Sequence, residues 1–198
     1  MTIWTCKGPL AAFGVMLLTA CEGGQGLGAS SGAAKPPLSR AKMAGGVELV
    51  APDGFCIDQT SLEARFAVMA RCDGLGAPAS AGAAPRGLIT VSLTQSKPGS
   101  LPSAQQIAAE TSLQNVSDVE KGDQSVTFRA QGRIPVGGLS PKQWRGVARM
   151  GTQTAGIAVY GPERGEIVSA SGRRVLTQLI TRSIDASAPA KTTVAQRN

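Results

Sequence analysis

The chain has 198 residues, 42% of them apolar and 4% aromatic, with 20 Lys and Arg, 13 Asp and Glu and no His. This length leaves room for one domain with tails, and the apolar fraction is too high for a wholly disordered chain. The absence of His excludes histidine-based triads, histidine general bases and histidine metal ligands.

The first residues of the chain are typical of an export signal. Lys7 and the free amine give a weakly positive start, and residues 9–18 form an apolar run. This run of ten residues is about half of the ~20 that a membrane-spanning helix needs, and it has the length of the hydrophobic region of a secretory signal.

A short motif follows the apolar run directly: Leu18, Thr19, Ala20 and Cys21. It resembles the lipobox of bacterial lipoproteins, Leu-[Ala/Ser/Thr]-[Gly/Ala]-Cys, at all four positions. The resemblance implies that the Cys21 thiol receives a diacylglyceryl group, that the chain is cut before Cys21, and that the new amine is acylated, for example with palmitate. Two or more acyl chains hold a protein stably on a membrane. The alternatives are an ordinary signal peptide with an unrelated cysteine, and an uncleaved anchor.

The residue after Cys21 bears on which membrane the lipid would enter. In the sorting of Gram-negative lipoproteins, Asp at this position tends to retain the protein in the inner membrane, and this chain has Glu22 instead. The resemblance therefore implies a lipid-anchored protein of the cell envelope, in the outer membrane and facing the periplasm.

Composition divides the chain into four segments. Residues 1–20 form the expected lipoprotein signal peptide, and residues 21–45 contain the lipidated cysteine and a Gly-, Ala- and Ser-rich stretch that predicts a flexible linker. Residues 46–185 carry regular apolar patterns and are expected to form a globular domain. Residues 186–198 have no apolar stripe and are expected to be a disordered tail.

The first half of the domain is expected to consist of strands. Short apolar or alternating runs, separated by turn residues such as Pro52, Asp53 and Gly54, are typical of an antiparallel sheet. The predicted strands cover 47–50, 55–57, 66–70 and 88–94, with a short helical turn near 61–63 and a flexible insert at 74–87.

The second half adds a helix, two strand pairs and a second helix. Ser103 and Gln106 match a capping box, which predicts a helix that buries Ala104, Ile107 and Ala108. Alternation then predicts strands at 116–120, 126–130, 144–150 and 155–160. A final helix is indicated by apolar residues at 3–4 spacing: Ile167, Val175, Leu176, Leu179, Ile180 and Ile184.

This order of elements predicts an α+β fold with a single antiparallel β-sheet of about six to seven strands and two helices packed on it. The element order is similar to the PsbP-like fold, named for an extrinsic subunit of photosystem II. The stretch at 50–58, Val-Ala-Pro-Asp-Gly-Phe-Cys-Ile-Asp, with a second Cys downstream, resembles uncharacterised small proteobacterial lipoproteins. That resemblance implies no particular activity.

Two cysteines remain after the signal and the lipidated residue are set aside. Cys56 and Cys72 form an even pair in a domain that is expected to be exported, and an oxidising compartment favours a disulfide between them. A redox pair or a metal pair is the alternative. The chain has neither Cys-x-x-Cys nor His, and two thiolates alone make a poor zinc site.

Several polar and aromatic residues are candidates for catalysis or binding. Carboxylates cluster at predicted turns, where solvated turn positions explain them better than paired catalytic acids. Trp144 and Tyr160 could line a pocket, although packing in the core explains them better. Basic residues are scattered except for Arg173 and Arg174, so a basic face toward an anionic envelope surface is the weaker interpretation. The carboxylates in question are Asp53, Asp58, Asp73, Asp118, Glu120 and Asp123.

Two classes of function follow from these features. We expect a membrane-anchored, periplasm-facing lipoprotein domain that is not an enzyme and that binds or supports an envelope partner. We expect it to use no cofactor, to hold no metal and to bind no nucleic acid. The alternative is an envelope enzyme with a carboxylate- or cysteine-based site that the sequence does not reveal. A concave site with converging polar groups would distinguish the two classes.

Overall fold

Nine strands and two helices form in the part of the chain that the computed structural model describes, residues 35–78 and 84–189. Their order agrees with the apolar pattern. The elements are β1 (Arg40–Lys42), β2 (Glu48–Val50), β3 (Phe55–Ile57), β4 (Phe66–Arg71), β5 (Leu88–Gln95), α1 (Ala104–Glu110), β6 (Gln114–Lys121), β7 (Ser125–Gln131), β8 (Lys142–Met150), β9 (Gln153–Tyr160) and α2 (Ala170–Ser187).

Seven of these strands form one antiparallel sheet in the order β3-β4-β5-β9-β8-β7-β6. Every neighbouring pair in it is antiparallel. This sheet and the two helices confirm the predicted α+β class. A separate two-stranded sheet of β1 and β2 was not expected, and it takes the predicted strand at 47–50 out of the main sheet.

The two helices lie on opposite faces of the large sheet. Leu176 and Leu179 of α2 are fully buried in the main core, together with Trp144, Ala148 and Met150 from alternate positions of β8. The helix α1 buries Ala104, Ile107 and Ala108 in a second cluster with Val126, Phe128 and Ala130 of β7. Because α1 has only seven residues, it covers one end of its face, at β6 and β7.

The small sheet is fixed to α2 by side-chain hydroxyls. The backbone N–H of Glu48 donates to Ser187 Oγ at 3.0 Å, and that of Val50 donates to Ser183 Oγ at 3.0 Å. Ser183 and Ser187 are one helical turn apart, so they meet alternate residues of β2. The helix thereby satisfies backbone donors that a short strand would otherwise leave unpaired.

The predicted capping box is present at the start of α1. The backbone N–H of Gln106 donates to Ser103 Oγ at 3.2 Å, and the N–H of Ser103 donates to Gln106 Oε1 at 2.8 Å. These reciprocal bonds satisfy two of the backbone donors that a helix start leaves free.

The structure corrects the expected start of the domain. Residues 40–45, expected in the flexible linker 21–45, form β1 and a 3-10 turn, and Leu38 bridges Ile57. The reason is burial, because Ala41 and Met43 are each only 7% exposed in the main core. Residues 21–34 of that segment lie outside the described residues.

Four smaller differences concern local elements. Ile167 lies in a 3-10 turn before α2 rather than in the helix, and no helical turn forms at 61–63, where only Ser61 lies in a turn. The helix α2 ends at Ser187, so it extends two residues into the expected tail 186–198. A 3-10 turn, Asp73–Leu75, overlaps the start of the expected flexible insert 74–87. Residues 79–83 of this insert lie outside the described part of the chain.

Candidate functional site

On the face of the large sheet opposite α2, the helix α1 contacts only β6 and β7, so no described helix lies over β4, β5, β9 and part of β8. Strand alternation and register place one set of side chains on this surface, which we call the open face. Its members are Phe66, Val68, Ala70, Leu88, Thr90, Ser92, Thr94, Arg145, Val147, Arg149, Thr154, Gly156, Ala158 and Tyr160.

The open face is more accessible than the face under α2 and differs from it in composition. Ser92 and Thr94 are exposed, and Phe66 keeps 36% of its surface accessible. On the other face of β4, Ala67 and Met69 are fully buried. No member of the open face is acidic, and two members are arginines. The surface therefore carries apolar side chains on β4 and at Leu88, hydroxyl side chains along the rest of β5 and positive charge on β8, while Ala158 and Tyr160 of β9 are buried.

Arg145 is the most unusual side chain of the open face. Its guanidinium carbon lies 5.5 Å from the centre of the Tyr160 ring, and its Nε is buried with no hydrogen-bond partner among the described residues. Burial lowers the pKa of Arg145, and the Tyr160 side chain opposes this shift. A cation stacked on a ring in this way keeps its charge while part of its surface is removed from water.

Arg149 lies on the same strand and face, four residues further along β8. Its Nε is also buried without a partner in the described part of the chain, and its Nη2 donates to the backbone carbonyl of Gly99. Neither Arg145 nor Arg149 forms an ion pair with a described residue. Both guanidinium groups can therefore accept a further anionic partner.

Cys56 and Cys72 form a disulfide, as the sequence predicts, with their Cα atoms 4.8 Å apart. Cys56 lies in β3 and Cys72 directly follows β4, and the Cys72 N–H donates to the carbonyl of Gly54 at 3.1 Å. The bond therefore joins two neighbouring strands of the sheet. Both cysteines are partly accessible.

The candidate carboxylates do not converge on one site. Asp53 accepts hydrogen bonds from Arg182 and Gln178, which lower its pKa, and Asp73 pairs with Arg71, which lowers the pKa of Asp73. The others serve separate turns or strands. Asp118 Oδ2 lies 3.1 Å from Arg129 Nε, Asp58 Oδ1 accepts the N–H of Thr60 at 2.9 Å, and Glu120 and Asp123 are exposed.

The two aromatic candidates have different surroundings. Trp144 is 2% exposed in the main core and its indole N–H donates to the carbonyl of Ser169 at 2.7 Å. This agrees with the interpretation that it packs in the core. Tyr160 is 7% exposed on the opposite side of the sheet, where it supports Arg145.

A concave site lies at the β6 end of the sheet, on the α2 side, with a volume of about 370 Å³. Arg129 lies over the Trp144 ring at 5.9 Å and pairs with Asp118, so its charge is already balanced. The lining of this depression includes the apolar Val116 and Ala130, and two of its polar groups are bonded to each other, Asn115 Nδ2 to Gln131 Oε1 at 3.1 Å. Arg173 and Arg174 are exposed on α2.

The sequence pattern does not single out Arg145 and Arg149, although it contains one signal of them. In β8, residues Gln143, Arg145, Val147 and Arg149 alternate with Trp144, Gly146, Ala148 and Met150. Such alternation normally indicates a solvated face. What distinguishes these two arginines is their partial burial without an acidic partner, and this depends on strands that are distant in sequence.

Three further observations bear on the expected site residues. Cys21, the expected lipidation site, lies outside the described residues. Within residues 35–78 and 84–189, no three His, Cys, Asp or Glu side chains come together as metal ligands would. In the same residues, no helix combines the length and the apolar character needed to span a membrane.

Comparison with protein-family models gave no match, and comparison with curated proteins gave none either. Among solved structures, the chain is similar to the Saccharomyces cerevisiae Ran-binding protein Mog1p, with a TM-score of 0.45 and 12% identity over 75% of this chain and 97% of that chain. A mutant of the protein Mog1 gives a TM-score of 0.44 and 14% identity, over 73% and 93% of the two chains. At these values the similarity supports neither a shared function nor a shared partner.

Proposed function

We propose that this protein is a lipid-anchored binding domain of the bacterial cell envelope, without enzymatic activity, held at the outer membrane through Cys21 and facing the periplasm. The observation that carries the binding role is the open face of the sheet. A sheet face without a described helix over it, with accessible apolar residues on β4 and β5 and two arginines on β8 without ion pairs to described residues, has the composition of a protein-contact surface.

The anchoring part of the proposal rests on the resemblance of Leu18–Cys21 to a lipobox and on the short apolar run before it. The disulfide between Cys56 and Cys72 supports an oxidising compartment, because such bonds persist outside the cytosol. Glu22 in place of Asp supports export to the outer membrane.

A labelling experiment tests the anchor. In bacteria that process lipoproteins, the wild-type chain should incorporate a fatty-acid analogue and sediment with membranes. Cys21→Ser should incorporate none, and its signal should remain uncleaved or be cut elsewhere. Equal labelling of the wild type and the Cys21→Ser variant would exclude lipidation at Cys21.

A matched change at the next residue tests the choice of membrane. Glu22→Asp keeps the charge and should move the protein from the outer-membrane to the inner-membrane fraction of a density gradient, with labelling unchanged. Recovery of the wild type mainly with the inner membrane would contradict outer-membrane placement.

The binding role is tested by photocrosslinking in the same cells. A photoreactive amino acid at Ser92, exposed on the open face, should give a discrete crosslinked product with an envelope component. The same amino acid at Thr177, exposed on α2, is the control and should not give that product. If Ser92 gives no product above the control, the open face is not the contact surface.

A further inference from the structure

We infer that the open face binds an acidic, extended segment of a partner protein, with Arg145 pairing with a carboxylate of that segment and Arg149 supporting it. This inference rests on the binding role proposed above and specifies the chemistry of the partner. Four features support it: the charge on the face, the environment of Arg145, the apolar residues on β4 and β5, and the register that relates them.

The first step is the missing counter-charge. Of the ten described arginines outside the open face, four pair with acidic side chains, as Arg40–Glu48, Arg71–Asp73, Arg129–Asp118 and Arg182–Asp53, and the other six are exposed to water. The open face has two arginines and no acidic residue. Its charge is therefore complementary to an acidic partner, and none of the described residues places an acidic group on this face.

The second step is the environment of Arg145. A partly buried cation costs folding free energy unless it is paired, and here the buried Nε has no hydrogen-bond acceptor among the described residues. The Tyr160 ring, 5.5 Å from the guanidinium carbon, supports one face of the group. Stacking on an aromatic ring leaves the N–H edge of a guanidinium free, and that edge matches the two oxygens of a carboxylate.

The third step is the apolar surface two and three strands away from the arginines, on β5 and β4. Leu88, Val68 and Phe66 lie on the same face, and all three keep accessible surface. A free inorganic anion would make no use of these side chains. A peptide segment that carries both carboxylates and apolar side chains would use both parts of the face, and the partial burial of Arg145 would strengthen its ion pair with a carboxylate.

The fourth step is the register that relates the two parts. Arg145 pairs with Ala158, Ala158 with Thr90, and Thr90 with Val68, so these residues form one row across four strands. Strands are about 4.8 Å apart, and the row is therefore about 14 Å long. An extended segment covers that distance in about four residues and presents alternate side chains to the sheet.

A designed peptide provides the probe. The fluorescein-labelled peptide Glu-Ser-Glu-Ser-Val-Ser-Leu presents two carboxylates and two apolar side chains on one side when it is extended. Its anisotropy would be titrated with the full chain purified in detergent, and the control peptide carries Gln in place of both Glu. We expect the acidic peptide to bind and the Gln peptide to bind at least about tenfold more weakly, as for the loss of a charge-assisted hydrogen bond.

Matched substitutions locate the site. Arg145→Gln should weaken binding of the acidic peptide by about tenfold, and Arg149→Gln by a smaller factor. Arg174→Gln removes the same charge from the exposed side of α2 and should change the affinity by less than about twofold, since a distant surface charge is screened. The melting temperature of Arg145→Gln should not fall, because the change removes an unpaired cation.

A second variant keeps the test independent of the loss of Arg145. Thr90→Glu places a carboxylate on the open face in the same row as Arg145, where it would compete with the peptide for the guanidinium. We expect this variant to lose peptide binding, whereas Thr177→Glu, on the exposed side of α2, should retain it.

Three results would overturn the inference: no binding of the acidic peptide to the wild type, equal loss in the Arg145→Gln and Arg174→Gln variants, or full binding by Thr90→Glu. Equal loss would mean that the peptide senses only overall charge. These outcomes are separate from the proposed function, because lipid labelling at Cys21 and crosslinking from Ser92 do not depend on an acidic probe. Binding of anionic phosphatidylglycerol vesicles through Arg145, with none of the peptide, would assign the face to lipid and also reject the inference.

Discussion

Asp53 links the turn between β2 and β3 to the helix α2 through both of its carboxylate oxygens. Arg182 donates to Oδ1 at 2.8 Å and to Oδ2 at 3.1 Å, and Gln178 Nε2 donates to Oδ2 at 2.6 Å. The Asp53 N–H in turn donates to Gln178 Oε1 at 3.1 Å. From the sequence, the backbone preference of a turn is enough to explain Asp53. In the structure its side chain also binds α2.

This clamp predicts a pH-dependent loss of stability in Asp53→Asn. The bonds from Arg182 and then from Gln178 lower the pKa of Asp53 below its unfolded value, so the stabilisation is present above the unfolded pKa, near 4, and disappears as the pH falls through the folded pKa. The carboxylate is 76% exposed, and we expect the loss at pH 7 to stay below about 1 kcal/mol.

Urea unfolding of both proteins between pH 2 and 7 measures this difference. The gap should be constant from pH 7 to about pH 5 and should close below about pH 4. Glu163→Gln changes an exposed carboxylate that has no ion pair with a described residue, and it should show no comparable gap. A gap for Asp53→Asn that widens on acidification would contradict the assignment.

Gly172 lies in the first turn of α2, against Trp144 of the sheet. A Cβ at this position would lie 1.7 Å from the carbonyl oxygen of Ile167 and 2.6 Å from Cδ1 of Trp144. The 3-10 turn before the helix and the buried indole therefore both require a residue without a side chain at this point.

This contact predicts that Gly172→Ala destabilises the domain. Gly to Ala in a helix normally stabilises by up to about 1 kcal/mol, but here the backbone must move, and we expect a loss of about 1–3 kcal/mol. Gly74→Ala is the control, because a Cβ there meets nothing within 4 Å, and its effect should stay within about 0.5 kcal/mol. A urea midpoint for Gly172→Ala at or above the wild-type value would show that the helix adjusts freely.

Among the elements, the β3–β4 pair is the one that depends on a covalent bond. The strand β3 has three residues, lies at the edge of the sheet and pairs with β4 from Phe55–Arg71 to Ile57–Met69. So short a strand makes few hydrogen bonds. The disulfide holds it beside β4 across the polar turns at 58–65.

We therefore predict that Cys56→Ser lowers stability without abolishing the fold. The cysteines are 16 positions apart, and closing a loop of that size is worth about 3 kcal/mol in the chain-entropy model. The strands from β5 to β9 have their own core and should keep their far-ultraviolet circular dichroism. Thermal unfolding of wild type, Cys56→Ser and the Cys56→Ser/Cys72→Ser double variant measures the effect.

The matched comparisons make this prediction specific. The double variant should lose about as much as either single variant, since all three lack the same bond. The wild type should fall to the same level in reductant, and thiol titration of the unreduced, denatured domain should find neither Cys56 nor Cys72 free. Unchanged stability in all variants would show that the bond does not constrain the unfolded chain.

The opposite edge strand, β6, has a different form of protection. Its register with β7 shifts twice, and Asn115 and Asp118 adopt φ angles of 53° and 51°. Asn and Asp are the non-glycine residues that tolerate this region best. Bulges and exposed charges along an edge hinder pairing with another sheet.

For the whole molecule, the sequence predicted the elements better than their arrangement. Strand alternation and the capping box depend on neighbouring residues, and for this reason β5, β7, α1 and the α+β class could be predicted. The strand β1 could not, since Ala41 and Met43 are buried in a core to which α2 and other parts of the chain distant in sequence contribute. The placement of the helices on opposite faces likewise follows from tertiary packing.

The candidate site shows the same limit. The alternation of β8 predicts that Arg145 leaves the α2 side of the sheet, but it does not predict that Tyr160 lies beneath it. That contact requires the register of β8 with β9, Trp144 to Val159 and Arg145 to Ala158. An unpaired, partly buried cation is a property of several strands together, and no single segment of the sequence contains it.

The position of β5 in the sheet also has a consequence for the rate of folding. The strands β3 to β5 and β6 to β9 each pair with their neighbours in the chain, but β5 joins β9 from Leu88–Tyr160 to Gln95–Gln153. Closing so long a loop costs entropy before the contacts can compensate for it. The two halves should therefore form their local pairs first, and the sheet should be completed in a slower step, on the order of milliseconds to seconds, once β9 has found β5.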